Sequence, residues 1–131
     1  MASEAQAIVD KFVTAIAENR LDDARTLLHD DFLVHEAGGL PYSGEYRGPQ
    51  AFFDLLGKMT EAMELTLGQS VQYLLADNTA ALRSRLTFTA RASGESVEME
   101  LIEIYTVHDE LITELDVYYK DPSAVAALFA P

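Results

Sequence analysis

Carboxyl groups that interrupt apolar rows are the residues of this chain best suited to chemistry. In the stretch 97–107, a period of two places Glu103 in an otherwise apolar row. If Asp109 and Glu110 form a two-residue hairpin loop, the returning strand sets Asp116 directly across from Glu103. Two carboxyls held together away from water favour protonation of one of them near neutral pH. The pattern therefore predicts an acid/base pair.

The spacing alone leaves open which face of this hairpin is buried. The predicted Glu103 row also receives Tyr105, Glu114 and Tyr118. The opposite face is at least as apolar, since it carries Ile102, Ile104, Leu115 and Val117. That face could be the core, in which case the carboxylates would simply point at water.

The preceding strand favours burial of the Glu103 face. Residues 79–91 pair with residues 96–108 around a loop at 92–95, which sets Ser84 opposite Glu103. The same face then collects the apolar side chains Leu82, Leu86, Phe88, Met99 and Leu101. At about 25 cal/mol per Å² this is too much apolar area to leave in water, so the helices should cover it. The isoleucine side remains as an apolar patch, which predicts a homodimer through the outer sheet face.

A second acidic candidate lies in the first predicted strand, residues 32–37. Phe32, Val34 and Glu36 share one face, while His35 faces away. Glu36 is thus either a further acid/base group or a solvated strand end. The turn-rich loop that follows carries Tyr42 and Tyr46, and is either a lid over a pocket or a plain connection.

Helical patterns surround these strands. An amphipathic helix runs from a cap at Ser3 to about residue 19 with Phe12 on its apolar face, and a short one ends near His29. A third helix begins at Pro49, and its apolar stripe, which includes Phe53, extends to Met63. A further strand spans residues 70–76, and residues 124–129 form a closing helix or tail.

Composition limits the classes of function. The chain has 131 residues, 49% of them hydrophobic, which suits one domain over residues 1–131. The formal net charge of −13 opposes nucleic acid and membrane surfaces, and leaves neutral or cationic small molecules as ligands. There is no cysteine and there are three histidines, so no metal cluster is expected, and the absence of an apolar leader predicts a cytoplasmic protein.

The order and spacing of several weak motifs resemble a known family. These motifs are Asn19–Ala24, His29–Glu36, Leu40–Gly48 and Ile104–Ile112. Together they are similar to the SnoaL-like polyketide cyclases and the ketosteroid isomerase relatives of the nuclear transport factor two superfamily. The resemblance implies an α+β fold of the cystatin-like type, in which a curved, mostly antiparallel sheet forms a cone around three to four helices.

The resemblance also implies a function and a site. By resemblance, Glu36 matches a proton-shuttling carboxylate, Glu103 a protonated hydrogen-bond donor and Asp116 an acid/base aspartate. Phe12 stands where the isomerases carry a tyrosine donor, so steroid isomerisation is not expected. The expected function is a cofactor-free lyase or isomerase acting on an apolar carbonyl compound, with an epoxide hydrolase or a non-catalytic ligand-binding or dimerisation module as alternatives. The predicted substrate-binding residues are Phe12, His35, Tyr42, Tyr46, Phe53, Ser84, Tyr105, Glu114 and Tyr118.

Overall fold

A curved sheet forms the body of the protein. The structure, a computed structural model, describes residues 4–68 and 72–129. The strands are β1 (Leu28–Glu36), β2 (Gly44–Arg47), β3 (Met63–Leu67), β4 (Gln72–Ala76), β5 (Thr79–Ala90), β6 (Ser96–His108) and β7 (Leu111–Tyr119). The helices are α1 (Glu4–Ala17), α2 (Leu21–Arg25), α3 (Pro49–Ala62) and α4 (Pro122–Ala126), with a 3-10 turn at Ala127–Phe129.

The strand order makes the sheet mixed but mostly antiparallel. Along the sheet the strands lie in the order β2-β1-β7-β6-β5-β3, and β4 also pairs with β5. Only β1 and β7 run parallel among the described pairs. The long strand β5 offers one edge to two partners, β4 along its first half and β3 along its second. This arrangement confirms the predicted α+β fold with a curved sheet.

The helices cover the face of the sheet that carries Glu103, as expected. Helix α1 buries Phe12, whose ring lies 5.8 Å from Phe52 of α3 and 6.0 Å from Tyr105 of β6. Phe52 also meets Phe32 of β1 edge-on at 5.6 Å. Aromatic contacts of this kind stabilise the core beyond the area they bury. They fix α1 and α3 against the strands that carry the acidic side chains.

The hairpin between β6 and β7 contains a bulge that the sequence analysis did not anticipate. The predicted two-residue loop is present, since His108 pairs with Leu111 and both Asp109 and Glu110 have positive φ. Past Val107, however, the register shifts by one residue at Thr113, so Glu103 pairs with Val117. A one-residue shift turns every later side chain to the other face. The prediction that Asp116 lies across from Glu103 is therefore wrong.

The hairpin between β5 and β6 also differs from the prediction, but without consequence for the faces. Glu103 pairs with Leu82, and Ser84 pairs with Leu101, two residues away from the predicted register. A shift of two residues keeps every side chain on its own face. Ser84 accordingly remains on the Glu103 side, where it is buried.

Several element boundaries fall elsewhere than the patterns indicated. Strand β1 begins at Leu28, so His29 lies within a strand and its Nδ1 accepts a hydrogen bond from the Asp31 amide at 2.9 Å. Helix α3 ends before Met63, which opens β3, and the predicted loop after β1 contains β2. The predicted cap Ser3 and the start of the strand expected at residue 70 lie outside the described residues. Among those that are described, no helix is both long and apolar enough to cross a membrane.

Candidate functional site

Glu36 and Glu103 face the interior from two strands that flank β7. Val34 pairs with Leu115 in the parallel pair, and one step further on the same face brings Glu36 level with Val117. Val117 in turn pairs with Glu103. The two glutamates therefore stand in one row with Val117 between them, and two strand spacings put their Cα atoms roughly 10 Å apart. On a concave sheet their side chains lean toward each other.

Both carboxyl groups are held in a setting that favours the protonated form. The pKa of Glu36 is raised to about 7, mainly by burial. A hydrogen bond from the Ala37 amide at 3.0 Å and one from Tyr119 lower this pKa in part, and the nearby Glu103 charge raises it. Burial likewise raises the pKa of Glu103 to about 7. Each residue nevertheless keeps part of its accessible surface. Partly accessible carboxyls whose pKa values are strongly raised by burial are candidates for a functional site.

Tyrosine hydroxyls complete the polar part of this interior. The Tyr105 hydroxyl donates to Glu103 Oε2 at 3.3 Å. The hydroxyl oxygens of Tyr42 and Tyr119 lie 2.9 Å apart. Burial raises the pKa of Tyr42 to about 12 and also raises the pKa of Tyr119, so both hydroxyls stay protonated. We call Glu36, Tyr42, Glu103, Tyr105 and Tyr119 the inner site.

The loop between β1 and β2 holds Tyr42 in place. The Tyr46 hydroxyl donates to the Tyr42 carbonyl oxygen at 2.7 Å, and the Ser43 hydroxyl donates to the Ala37 carbonyl oxygen at 2.7 Å. The Phe129 ring packs edge-on against the Tyr42 ring at 6.2 Å. Tyr42 is buried as a result, and Tyr46 supports the loop with a polar contact instead of lining the inner site with its hydroxyl.

Three of the predicted site residues, Glu114, Asp116 and Tyr118, lie on the outer face of the sheet. Because of the bulge at Thr113, Asp116 pairs with Ile104, and its carboxylate accepts a hydrogen bond from Tyr118 at 2.9 Å. Tyr118 itself is 53% exposed. The prediction that these two residues, with Glu114, share the Glu103 face is wrong. The predicted outer patch changes accordingly, since Leu115 and Val117 are buried in the core.

His35 also lies on the outer face, as the alternation in β1 predicted. Its Nδ1 is 2.7 Å from Glu45 Oε2, and its Nε2 is 3.2 Å from Glu114 Oε2. Burial lowers the pKa of His35, but the hydrogen bond to Glu114 and the charges of Glu114, Glu45 and Asp116 outweigh it, and the net effect is a raised pKa. The geometry therefore suits an imidazolium between two carboxylates and separates His35 from the inner site.

The remaining predicted residues divide between the core and the surface. Phe12 and Ser84 are buried on the inner side. Phe53 is partly buried near the start of α3, where the Arg25 guanidinium lies 4.9 Å from its ring centre. Phe53 therefore takes part in a surface cation–π contact.

Tyr119 is the residue of the inner site that the sequence analysis missed. The assumed register placed Tyr118 inward and its neighbour outward. The alternation of Leu115, Val117 and Tyr119 was a signal for the observed register, because it forms an apolar row ending in an aromatic residue. Tyr119 stacks on Phe88 with ring centres 5.7 Å apart, which anchors it on the inner face.

Two open clefts are lined by neither Glu36 nor Glu103, and Tyr119 borders the second of them. One of about 340 Å³ is lined by residues that include Arg85, Glu98 and Lys120, and one of about 190 Å³ borders Ile102 and Tyr118. Their charged groups are largely paired, with Arg85 Nη1 at 2.7 Å from Glu98 Oε1. Neither cleft brings together groups suited to proton transfer. Across the described parts of the chain, no group of three side chains is arranged to bind a metal ion.

Comparison with known proteins agrees with this architecture. A family model described as a SnoaL-like domain matches residues 9–115. No functionally curated protein shows significant similarity to the sequence. An NTF2-like protein from Burkholderia xenovorans LB400 superposes with a TM-score of 0.86 at 21% identity, over 96% of this chain and 98% of that one.

Two further solved structures are similar. A SnoaL-like protein from Mesorhizobium loti, provisionally assigned as a polyketide cyclase, has a TM-score of 0.70 at 28% identity, over 86% of this chain and 97% of that one. TerC, co-crystallised with polyporic acid, has a TM-score of 0.84 at 12% identity, over 96% of this chain and 98% of that one. Structures at such low identity show the shared fold.

Proposed function

The chain belongs to the SnoaL-like domain family, and we propose that it is a small-molecule enzyme of the lyase or isomerase type. It would move a proton beside the carbonyl group of an apolar, polyketide-like compound. The observation that carries this proposal is the pair of inward-facing carboxyls, Glu36 and Glu103, in one row of the sheet, each with its pKa raised by burial to about 7. Such a pair holds one proton readily near neutral pH, which suits general acid/base catalysis.

The hydrogen bonds assign a role to each carboxyl. Glu36 accepts from the Ala37 amide at 3.0 Å and also from Tyr119, and hydrogen bonds to a carboxylate favour its ionised form. Within the described part of the chain, Glu103 accepts one longer hydrogen bond, from Tyr105 at 3.3 Å. These hydrogen bonds favour Glu36 as the base. Glu103 keeps its proton and donates a hydrogen bond to the substrate oxygen.

The walls of the inner site favour an apolar substrate. Phe12, Phe88, Leu101 and Val117 are buried on the same side of the sheet as the two carboxyls. Apolar walls with a few converging polar groups are typical of small-molecule sites. The solved relatives support this class of ligand, since one is provisionally assigned as a polyketide cyclase and another was crystallised with polyporic acid. The proposed chemistry requires no cofactor.

Exchange of carbon-bound protons tests the proposal without knowledge of the natural substrate. 2-Tetralone, an apolar ketone, is incubated with the protein in D₂O, and loss of its α-proton signals is followed by NMR. We expect Glu36→Gln to reduce the enzymatic exchange rate by about a hundredfold or more, because it removes the base. Glu103→Gln should reduce it less, since an amide still donates a hydrogen bond.

Two control variants make the test specific. Asp116→Asn and Glu64→Gln remove carboxylates outside the inner site, and both should retain the wild-type rate. A loss with Asp116→Asn equal to that with Glu36→Gln would contradict the placement of the base.

If wild-type protein binds 2-tetralone and related ketones without accelerating exchange, the inner site is a ligand-binding pocket. Turnover of styrene oxide, abolished by the same two glutamine variants, would instead assign an epoxide hydrolase.

We also propose that two copies associate through the outer face of the sheet. Ile102 and Ile104 are partly exposed there, and Tyr118 is half exposed beside them. Exposed apolar side chains grouped on one face are typical of interaction surfaces. Sedimentation velocity of the wild type should show a dimer, and Ile104→Lys should shift it toward the monomer. A wild type that stays monomeric at 100 µM would contradict this proposal.

A further inference from the structure

The Tyr119 hydroxyl occupies a position between a second tyrosine and the proposed base. Its oxygen lies 2.9 Å from the Tyr42 oxygen, and its hydrogen-bonding interaction with Glu36 lowers the pKa of that carboxyl. On the sheet, Tyr119 pairs with Leu101, one inward position beyond the pair of Val117 and Glu103. Tyr119 therefore borders the space that the two carboxyls share.

The number of protons fixes the direction of these hydrogen bonds. A tyrosine hydroxyl has one proton to donate, and an ionised carboxylate can only accept. While Glu36 is ionised, Tyr119 must donate its hydrogen bond to Glu36. Tyr42 must then donate a hydrogen bond to Tyr119. The loop contacts that hold Tyr42, including the bond from Tyr46 to its carbonyl oxygen at 2.7 Å, keep this chain of donors in place.

We propose that Tyr119 is a further catalytic residue, which donates to Glu36 in the resting site and to the substrate oxygen once Glu36 has accepted a proton. This inference rests on the proposed function. In the first step the substrate C–H bond breaks, an O–H bond forms on Glu36, and the electron pair moves onto the carbonyl oxygen to give an enolate. Tyr119 keeps its own O–H bond throughout and only redirects its hydrogen bond.

The redirection follows from what happens to Glu36. A protonated carboxyl accepts hydrogen bonds more weakly than a carboxylate, whereas an enolate oxygen is a strong, charged acceptor. The hydrogen bond from Tyr119 to Glu36 thus weakens at the moment when negative charge develops on the substrate oxygen. Tyr42 continues to donate to Tyr119, which strengthens Tyr119 as a donor. When Glu36 returns the proton to carbon, the hydrogen bond moves back.

The neighbouring residue provides a matched control. Tyr119→Phe removes the hydroxyl from the inner site, while Tyr118→Phe removes one from the outer face, where it bonds only to Asp116 among the described residues. In the 2-tetralone exchange assay, Tyr119→Phe should lower kcat by about a hundredfold, as loss of an oxyanion donor does, with KM changed only a few-fold. The acidic limb of its pH profile should move to higher pH, because Glu36 loses a hydrogen bond to its ionised form. Tyr118→Phe should match the wild type.

A second measurement separates this inference from the proposed function. Carboxyl ¹³C NMR titration should show the Glu36 pKa raised in Tyr119→Phe and unchanged in Tyr118→Phe, whether or not any ketone reacts. An unchanged Glu36 pKa, or a wild-type rate and profile in Tyr119→Phe, would overturn the role of Tyr119. Absence of exchange in the wild type overturns the proposed function and the catalytic role together. Should Tyr119→Phe not fold, Tyr42→Phe takes its place, with a smaller rate loss and the same direction of pKa change expected.

Discussion

Replacing Glu103 with glutamine should make the protein more stable at alkaline pH but not at acidic pH. The pKa of Glu103 is about 7 in the folded protein and about 4.5 in an unfolded chain. The folded state therefore binds the proton more tightly, and the contribution of Glu103 to stability falls as the pH rises from 4.5 to 7. At about 1.36 kcal/mol per pH unit, the ionised carboxyl costs roughly 3 kcal/mol once the pH is well above 7.

Glu103→Gln removes that cost because the amide does not ionise. At pH 4, below the ordinary pKa of 4.5, the wild-type carboxyl is mostly protonated in both the folded and the unfolded state and is nearly isosteric with the amide, so the two proteins should unfold at similar urea concentrations. At pH 8.5 the variant should be more stable by roughly 3 kcal/mol. Urea titrations followed by far-UV circular dichroism measure both, and taking the difference between variant and wild type cancels the general repulsion of a chain with net charge −13.

The exposed Glu64 on β3 supplies the control. Glu64→Gln should differ from the wild type by nearly the same small amount at both pH values. If Glu103→Gln behaves in the same way, then Glu103 ionises as a solvated residue does, and the argument for a proton held in the inner site fails.

Three further predictions concern the hairpin and the outer face. Asp109→Asn combined with Glu110→Gly should stabilise the protein by about 1 kcal/mol in urea titrations, because both positions have positive φ; no gain would mean that the loop is not strained. Deletion of Thr113 should abolish cooperative thermal unfolding, since it removes the bulge and turns the rest of β7 over, whereas Thr113→Ala should fold; a folded deletion variant would contradict the register. His35→Gln should destabilise the protein at pH 5.5, because only the imidazolium pairs with both flanking carboxylates. In urea titrations the loss of stability should become smaller as the pH rises through the raised pKa of His35. A difference that does not depend on pH would show that the histidine is neutral there.

The sequence predicts the faces of most strands because the apolar alternation is long. Strands β5 and β6 each extend over at least twelve residues, and their inward rows are apolar except at Ser84 and Glu103. An error of two residues in their pairing left those rows intact. The short strands β2 and β3 escaped prediction for a different reason. β2 lies in a stretch rich in glycine and tyrosine, and Met63 fits the end of a helix as well as the start of a strand.

The bulge at Thr113 is a feature that period-two reading cannot see, since a single unpaired residue leaves no mark on composition. Of the differences between the predicted and the observed structure, this bulge nevertheless changes the site most. It exchanges Asp116 and Tyr118 for Val117 and Tyr119 on the inner face. The alternative inward row, Leu115, Val117 and Tyr119, was also visible in the sequence. Only the relative burial of the two faces of β7 decides between the two rows.

This exchange also determines how many charges the inner site must hold. With Asp116 turned inward, three carboxyls would share one apolar space, and each additional ionised group would be opposed by both desolvation and the charges already there. With Asp116 in contact with water and Tyr119 in the interior, the site holds two carboxyls and a neutral donor. Two coupled carboxyls pass through a singly protonated state over a range of pH, in which one can accept a proton while the other donates a hydrogen bond. One extra residue in a hairpin thus converts an unfavourable cluster of acids into a pair that can work in opposite directions at the same pH.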